Sequence, residues 1–269
     1  MHVRRSRLLA MFAALAVGGA GVFGASAASA ASGRLAERHA HAVAHAAVVA
    51  EGTYEASFPI AGLTSQLVIT AGATSKRVGT FEFVAFGDFG DWVISGHTIA
   101  MQVASSTMGH EGFVLIGHVT DAGIVGKFDV PGWDQFNWTA TRDGAPSASR
   151  AALAAEAAAS AAPDVPQTGL SGSYTAIFPG LTLTDTLNLG HDLLSNLSGS
   201  LTFVNLADTG NWVQMGKHIA LGVSVGPDAG VTMVGTRSPT GISSAAAPGL
   251  YDQPSTGLFQ WYATSNAAG

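Results

Sequence analysis

The sequence predicts an all-β chain: two tandem eight-stranded antiparallel up-and-down β-barrels joined by an Ala/Pro-rich linker. Three observations predict it: an internal duplication, alternation of apolar and polar side chains, and glycine turns whose spacing sets strand register. Residues 52–103 align with 172–223 at a constant offset of 120, without a gap and with twenty identities in fifty-two positions. Gly52, Tyr54, Ala56, Phe58 and Pro59 recur as Gly172, Tyr174, Ala176, Phe178 and Pro179. Gly90, Trp92, Val93, Gly96, Ile99 and Ala100 recur as Gly210, Trp212, Val213, Gly216, Ile219 and Ala220. A period this long marks a repeated domain, since solenoid units run about 20–50 residues.

The chain opens with Arg4, Arg5 and Arg7, an apolar run from Leu8 to Gly24, and the small-residue exit Ala28-Ser29-Ala30. That order is expected of a secretory signal peptide over residues 1–30, cleaved after Ala30. Gly19-Ala20-Gly21-Val22-Phe23-Gly24 fits a dinucleotide-binding pattern, but no strand precedes it and it lies within the leader. An Ala/His-rich spacer follows over 31–51, with His39, His41 and His45. His41 and His45 would share a helical face, yet two ligands do not make a metal site.

The first repeat spans 52–142. Tyr54, Ala56 and Phe58 alternate with Glu55 and Ser57, and Phe81 and Phe83 flank Glu82, as half-buried strands require. Eight strands are expected, near 52–59, 64–70, 79–86, 91–95, 98–105, 112–119, 123–129 and 135–142. Ser95-Gly96-His97-Thr98 fits a two-residue type II′ hairpin loop, which sets Ile94 opposite Ile99 and Trp92 opposite Met101. Met215-Gly216-Lys217-His218 repeats the arrangement, with Trp212 opposite Leu221. The linker occupies 143–170, its alanine-rich centre from Ala151 to Ala162 favouring a helix of marginal length. It reads as a partly helical tether between separate domains. The second repeat covers 171–265.

Eight sequential short strands close most naturally into a barrel, which removes exposed edges; a pair of β-sandwiches is the alternative. Gly52-Thr53-Tyr54 at the start, Gly79-Thr80-Phe81 in the middle and Phe136-Asn137-Trp138-Thr139-Ala140-Thr141 at the end resemble the calycin pattern of avidin-like and small lipocalin-like barrels. The resemblance covers about 90 residues of each repeat. It departs at Tyr54, where tryptophan is usual, and the biotin-contacting residues of avidin have no counterparts in this chain. The resemblance implies a barrel and generic ligand binding, not biotin.

Composition narrows the function. Without cysteine there is no disulfide framework, thiol nucleophile or Cys-ligated metal. Loss of the leader takes three of twelve basic residues and none of eighteen acidic ones, leaving 9 − 18 = −9. That charge argues against nucleic acid and anionic membrane partners, and no membrane insertion is expected after cleavage. Oligomeric state is left open.

The duplicated polar motif is Asp88-Phe89-Gly90-Asp91-Trp92, matched by Asp208-Thr209-Gly210-Asn211-Trp212. Placed in the loop between the third and fourth strands, it is explained by turn chemistry; calcium needs six to eight oxygens and the motif offers two or three. His97, His110 and His118 occur in the first repeat, against Lys217, a loop position and Thr236 in the second. Glu55 and Glu82 become Thr175 and Thr202 and point away from the aromatic face. No catalytic, cofactor-binding or metal-binding residue is therefore assigned, no cofactor is implied, and ligand-binding residues are not identified. Twelve large apolar side chains on the inward face, including Tyr54, Phe81, Phe83, Trp92 and Trp138, read first as core and second as a pocket lining.

The expected function is that of a secreted, non-catalytic binding protein for a small apolar ligand or a surface glycan. Two sites on one tether would add avidity. The alternative is a structural or adhesive exoprotein presenting barrel loops to macromolecules. A third is an extracellular enzyme active in the first repeat only, which would require His97, His110 and His118 to converge with Asp88 or Asp91.

Overall fold

Alternating side chains can bury one face of a strand only if the sheet closes or stacks, and both repeats close. The computed structural model describes residues 50–160, 169–253 and 257–266. Residues 1–30, where a leader is expected, the histidines His39, His41 and His45, and linker residues 161–168 lie outside the described residues.

In the first barrel β1 (Gly52–Phe58), β2 (Leu63–Ala71), β3 (Val78–Phe83), β4 (Asp88–Ser95), β5 (Thr98–Ser105), β6 (Val114–Val119), β7 (Gly123–Val130) and β8 (Asp134–Arg142) pair in sequence order. β8 returns to pair antiparallel with β1 and closes the ring. The second barrel repeats this with β9 (Gly172–Phe178), β10 (Leu183–Leu189), β11 (Ser198–Phe203), β12 (Asp208–Met215), β13 (His218–Val225) and β14 (Thr232–Ser238). Its seventh strand is split into β15 (Gly241–Ile242) and β16 (Gly249–Gln253), and β17 (Gly257–Ser265) closes onto β9.

The hairpin register follows the turn. Ser95 pairs with Thr98, Ile94 with Ile99 and Trp92 with Met101, across Gly96 at φ +61°. In the second barrel Met215 pairs with His218 and Trp212 with Leu221, across Gly216 at φ +60°. Inside, Trp92, Trp138, Trp212 and Trp261 are fully buried. Each donates its indole N–H to backbone carbonyls, Trp92 to Thr70 and Thr80 and Trp138 to Ile116 and Lys127, so no polar atom of the ring is stranded. One end of the first barrel is stoppered by Tyr54, whose hydroxyl donates to the Ala50 carbonyl at 2.6 Å and accepts from Arg142 Nη2 at 2.6 Å.

The duplicated Asp-x-Gly motif is not a loop. β4 begins at Asp88, the preceding turn takes residues 84–87, and the register slips between Phe89 and Gly90. The same slip lies between Thr209 and Gly210. A Cβ on Gly90 would stand 1.8 Å from the Gln102 carbonyl oxygen, and one on Gly210 1.8 Å from that of Gly222. The glycines therefore mark a β-bulge where backbones nearly touch, and a bulge re-aims the side chains beside it.

The two barrels are not independent beads on a tether. Val93, Ala100, Val114 and Ile116 on the outside of the first pack against Val213, Ala220, Val234 and Leu250 of the second, all nearly inaccessible. Gln102, only 1% exposed, crosses the junction and donates from Nε2 to the Val223 carbonyl at 2.7 Å. It occupies space that any side chain at position 222 would need, since a Cβ on Gly222 would lie 2.8 Å from Gln102 and Val114. Asn211 Nδ2 donates to the Gly112 carbonyl at 3.0 Å. The linker helix α1 (Ser147–Ser160) is also docked, with Leu153 buried against Ala122 and Val125. Buried strands on both faces explain why β5 is apolar along most of its length.

Candidate functional site

Opposite the Tyr54 stopper, the first barrel opens into a cavity of about 260 Å³. Its inner wall is Phe58, Phe83, Val103, Leu115, Phe128 and Phe136, all strand residues whose inward orientation follows from the two-residue period. Phe58 anchors this wall, with its ring 5.4 Å from Phe83 and 5.3 Å from Phe128, both edge-on. Loop residues Ile60, Ala61 and Trp133 form the rim, where Ile60 is 67% and Trp133 56% exposed. The barrel interior is thus closed by Tyr54 at one end and open at the other, so core and pocket are two parts of one interior.

Asp88 and His110 are the polar side chains within the lining, apart from the rim indole of Trp133. Asp88 is 3% exposed and sits beside the bulge that aims it. One carboxylate oxygen accepts the Ser106 hydroxyl; the other lies 2.8 Å from His110 Nδ1. The imidazole is held between aromatic walls, stacked on Phe113 at 5.0 Å and edge-on to Phe86 at 6.0 Å. A carboxylate can only accept, so Nδ1 carries the hydrogen in the neutral ring and Nε2 is left as an acceptor. Among the described residues Nε2 has no hydrogen-bond partner.

The other sequence candidates do not join them. His97 and His118 stack on each other at 5.5 Å beyond the far end of β4, and His97 Nδ1 faces the Val119 carbonyl. Near them His218 is pushed below its ordinary value by burial, then by Lys217 and His118. Asp91 lies toward the junction between barrels, where burial raises its carboxyl to about 6. Glu55 and Glu82 are exposed on the outer faces of β1 and β3. Among the described residues no group of three or more His, Cys, Asp or Glu is placed to hold a metal ion.

The second barrel carries a different pair at the equivalent positions. Phe113 N–H bonds the His110 carbonyl at 3.1 Å, and Val231 N–H bonds that of Asp228 at 3.1 Å. Asp228 is therefore the structural counterpart of His110, at an offset of 118 because the preceding loop is two residues shorter. Its backbone N–H donates to Asp208, the counterpart of Asp88, at 3.1 Å. Burial raises the Asp208 carboxyl to about 6, with the nearby Asp228 carboxylate adding to it. Where the first barrel holds an acid and an imidazole, the second holds two acids. The walls differ as well: Phe86 and Phe113 become Leu206 and Val231.

No known family's sequence pattern matches the chain, and no curated protein matches it either. Among solved structures it is similar to a protein of unknown function from the DUF3598 family of Nostoc punctiforme, at 9% identity over 80% of this chain and 93% of the other. The TM-score is 0.20, too low to carry an argument about fold or function.

Proposed function

We propose that this chain is a secreted, non-catalytic binding protein for one small apolar molecule, held in the mouth of the first barrel. The observation that carries the reading is the cavity of about 260 Å³ with an almost wholly apolar wall. An apolar cavity of about 150 Å³ accepts benzene, so this one has room for roughly ten non-hydrogen atoms. A surface glycan would need a wall dense in hydrogen-bonding groups, and the aliphatic and phenyl lining favours hydrocarbon instead. Avidity from two swinging sites gives way to a single site, because the barrels share a buried face and only the first keeps the imidazole. The sequential order of eight strands and the Gly52-Thr53-Tyr54 opening support a calycin-like kinship for the barrels. The secretory leader supports an extracellular setting.

An enzyme reading has one observation in its favour, the contact of His110 with Asp88. A base needs a second polar group to steady the charge it creates, and the inner wall around His110 is phenyl and aliphatic. Titration with naphthalene tests the proposal. Wild type should bind one equivalent, and Leu115→Trp, which fills the cavity from β6, should bind none. Equal binding by the two proteins would place the ligand elsewhere.

A further inference from the structure

The first barrel's cavity is apolar except where it meets Asp88 and His110. Asp88 is nearly inaccessible, it is aimed by a bulge that needs Gly90, and its second oxygen is occupied by Ser106. The imidazole it holds is clamped in plane by Phe113 and Phe86. In the neutral ring such an arrangement fixes the tautomer: Nδ1 donates to the carboxylate and Nε2 accepts. The His110 side chain is 23% exposed at the cavity mouth; a bound molecule that covers Nε2 displaces water from it and must supply a donor in its place or lose that hydrogen bond.

Resting on the cavity reading above, we infer that the ligand is a compact hydrocarbon bearing a hydroxyl group, whose O–H donates to His110 Nε2. A ketone or ether of the same size has only acceptors and would set one lone pair against another. A pure hydrocarbon would fill the space but leave Nε2 unsatisfied. The second barrel supports the assignment by contrast. Its Asp228 and Asp208 pair occupies the equivalent positions with two carboxyl groups and no imidazole. The duplicated fold does not itself require the imidazole, so His110 is a feature of the first barrel alone.

The experiment is a two-by-two comparison by calorimetry on the full chain: 1-naphthol and naphthalene against wild type and His110→Phe. Phenylalanine keeps the flat apolar ring between Phe113 and Phe86 and removes the acceptor. The ratio of 1-naphthol to naphthalene affinity should fall about three- to tenfold in the variant, the worth of one hydrogen bond, whatever the change in naphthalene binding itself. An unchanged ratio overturns the inference and leaves the apolar cavity standing. Failure of both compounds to bind wild type overturns the cavity reading and the inference with it. Should His110→Phe lose its near-ultraviolet circular dichroism, His110→Leu takes its place. It too removes the acceptor, so the same fall in the ratio is expected, and an unchanged ratio in the folded variant overturns the assignment.

Discussion

Replacing Asp129 by asparagine should flatten the pH dependence of stability between about pH 4 and pH 9. Asp129 lies at the end of β7 with no exposed surface, and neither carboxyl oxygen has a well-formed hydrogen bond. It faces the second barrel's Asp192 and Ser198, with Asp134 of β8 nearby; the Ser198 hydroxyl donates to Asp192 Oδ2 at 2.6 Å. Burial first, and the Asp192 carboxylate second, raise the Asp129 carboxyl from 3.8 to about 9. The folded chain therefore keeps this proton up to about pH 9, whereas the unfolded chain releases it near 3.8. Since the folded state binds the extra proton, this group makes stability fall as pH rises, by about 1.4 kcal/mol per pH unit. From 3.8 to neutrality the loss comes to about 4 kcal/mol, and it levels off above the folded value. Asparagine keeps the shape, needs no titrating proton and can donate to Asp192. Unfolding free energies from urea titrations at half-unit steps from pH 4.5 to 9 should show the wild-type slope steeper than the variant's by about 1.4 kcal/mol per pH unit. Parallel slopes would refute the reasoning, because they would mean that Asp129 ionises alike in both states.

Two further outcomes bear on the fold. Gly222→Leu should push Gln102 and Val114 out of the junction and lower stability by about 1–3 kcal/mol; a neutral result in urea unfolding would show that the barrels do not depend on this contact. Trp138→Phe keeps a ring in the core but removes the donor shared by the Ile116 and Lys127 carbonyls. Its cost should be about 1–3 kcal/mol, and a loss within measurement error would show those bonds to be dispensable.

Much of this architecture could be read from residue order because its signals are local. A period of two and a glycine at the turn fix which side chains face inward, and β1 to β8 fall within a few residues of the expected strands. The bulge was harder: Asp88-Phe89-Gly90-Asp91 has the composition of a turn, and only the close approach to Gln102 shows why a strand needs that glycine. The junction left a trace in Val93, Ala100, Val114 and Ile116, apolar residues on faces that an isolated barrel would give to water. An inward-facing period of two assigns them no role. The pairing of His110 with Asp88 spans 22 residues and depends on the length of the intervening loop. Its counterpart at Asp228 is hidden by a two-residue deletion, so the constant offset of 120 points past it. The cavity depends on how the phenyl rings pack, which no spacing rule encodes.

Whether the first barrel carries a ligand decides between a binding protein and a packed scaffold. Native mass spectrometry of the protein recovered from its own host's medium is the most direct measurement. It should show one adduct per chain, of about 130–200 Da given room for some ten heavy atoms, lost on unfolding and missing from Leu115→Trp. A bare chain in both proteins, with no uptake of added naphthalene or 1-naphthol, would contradict it.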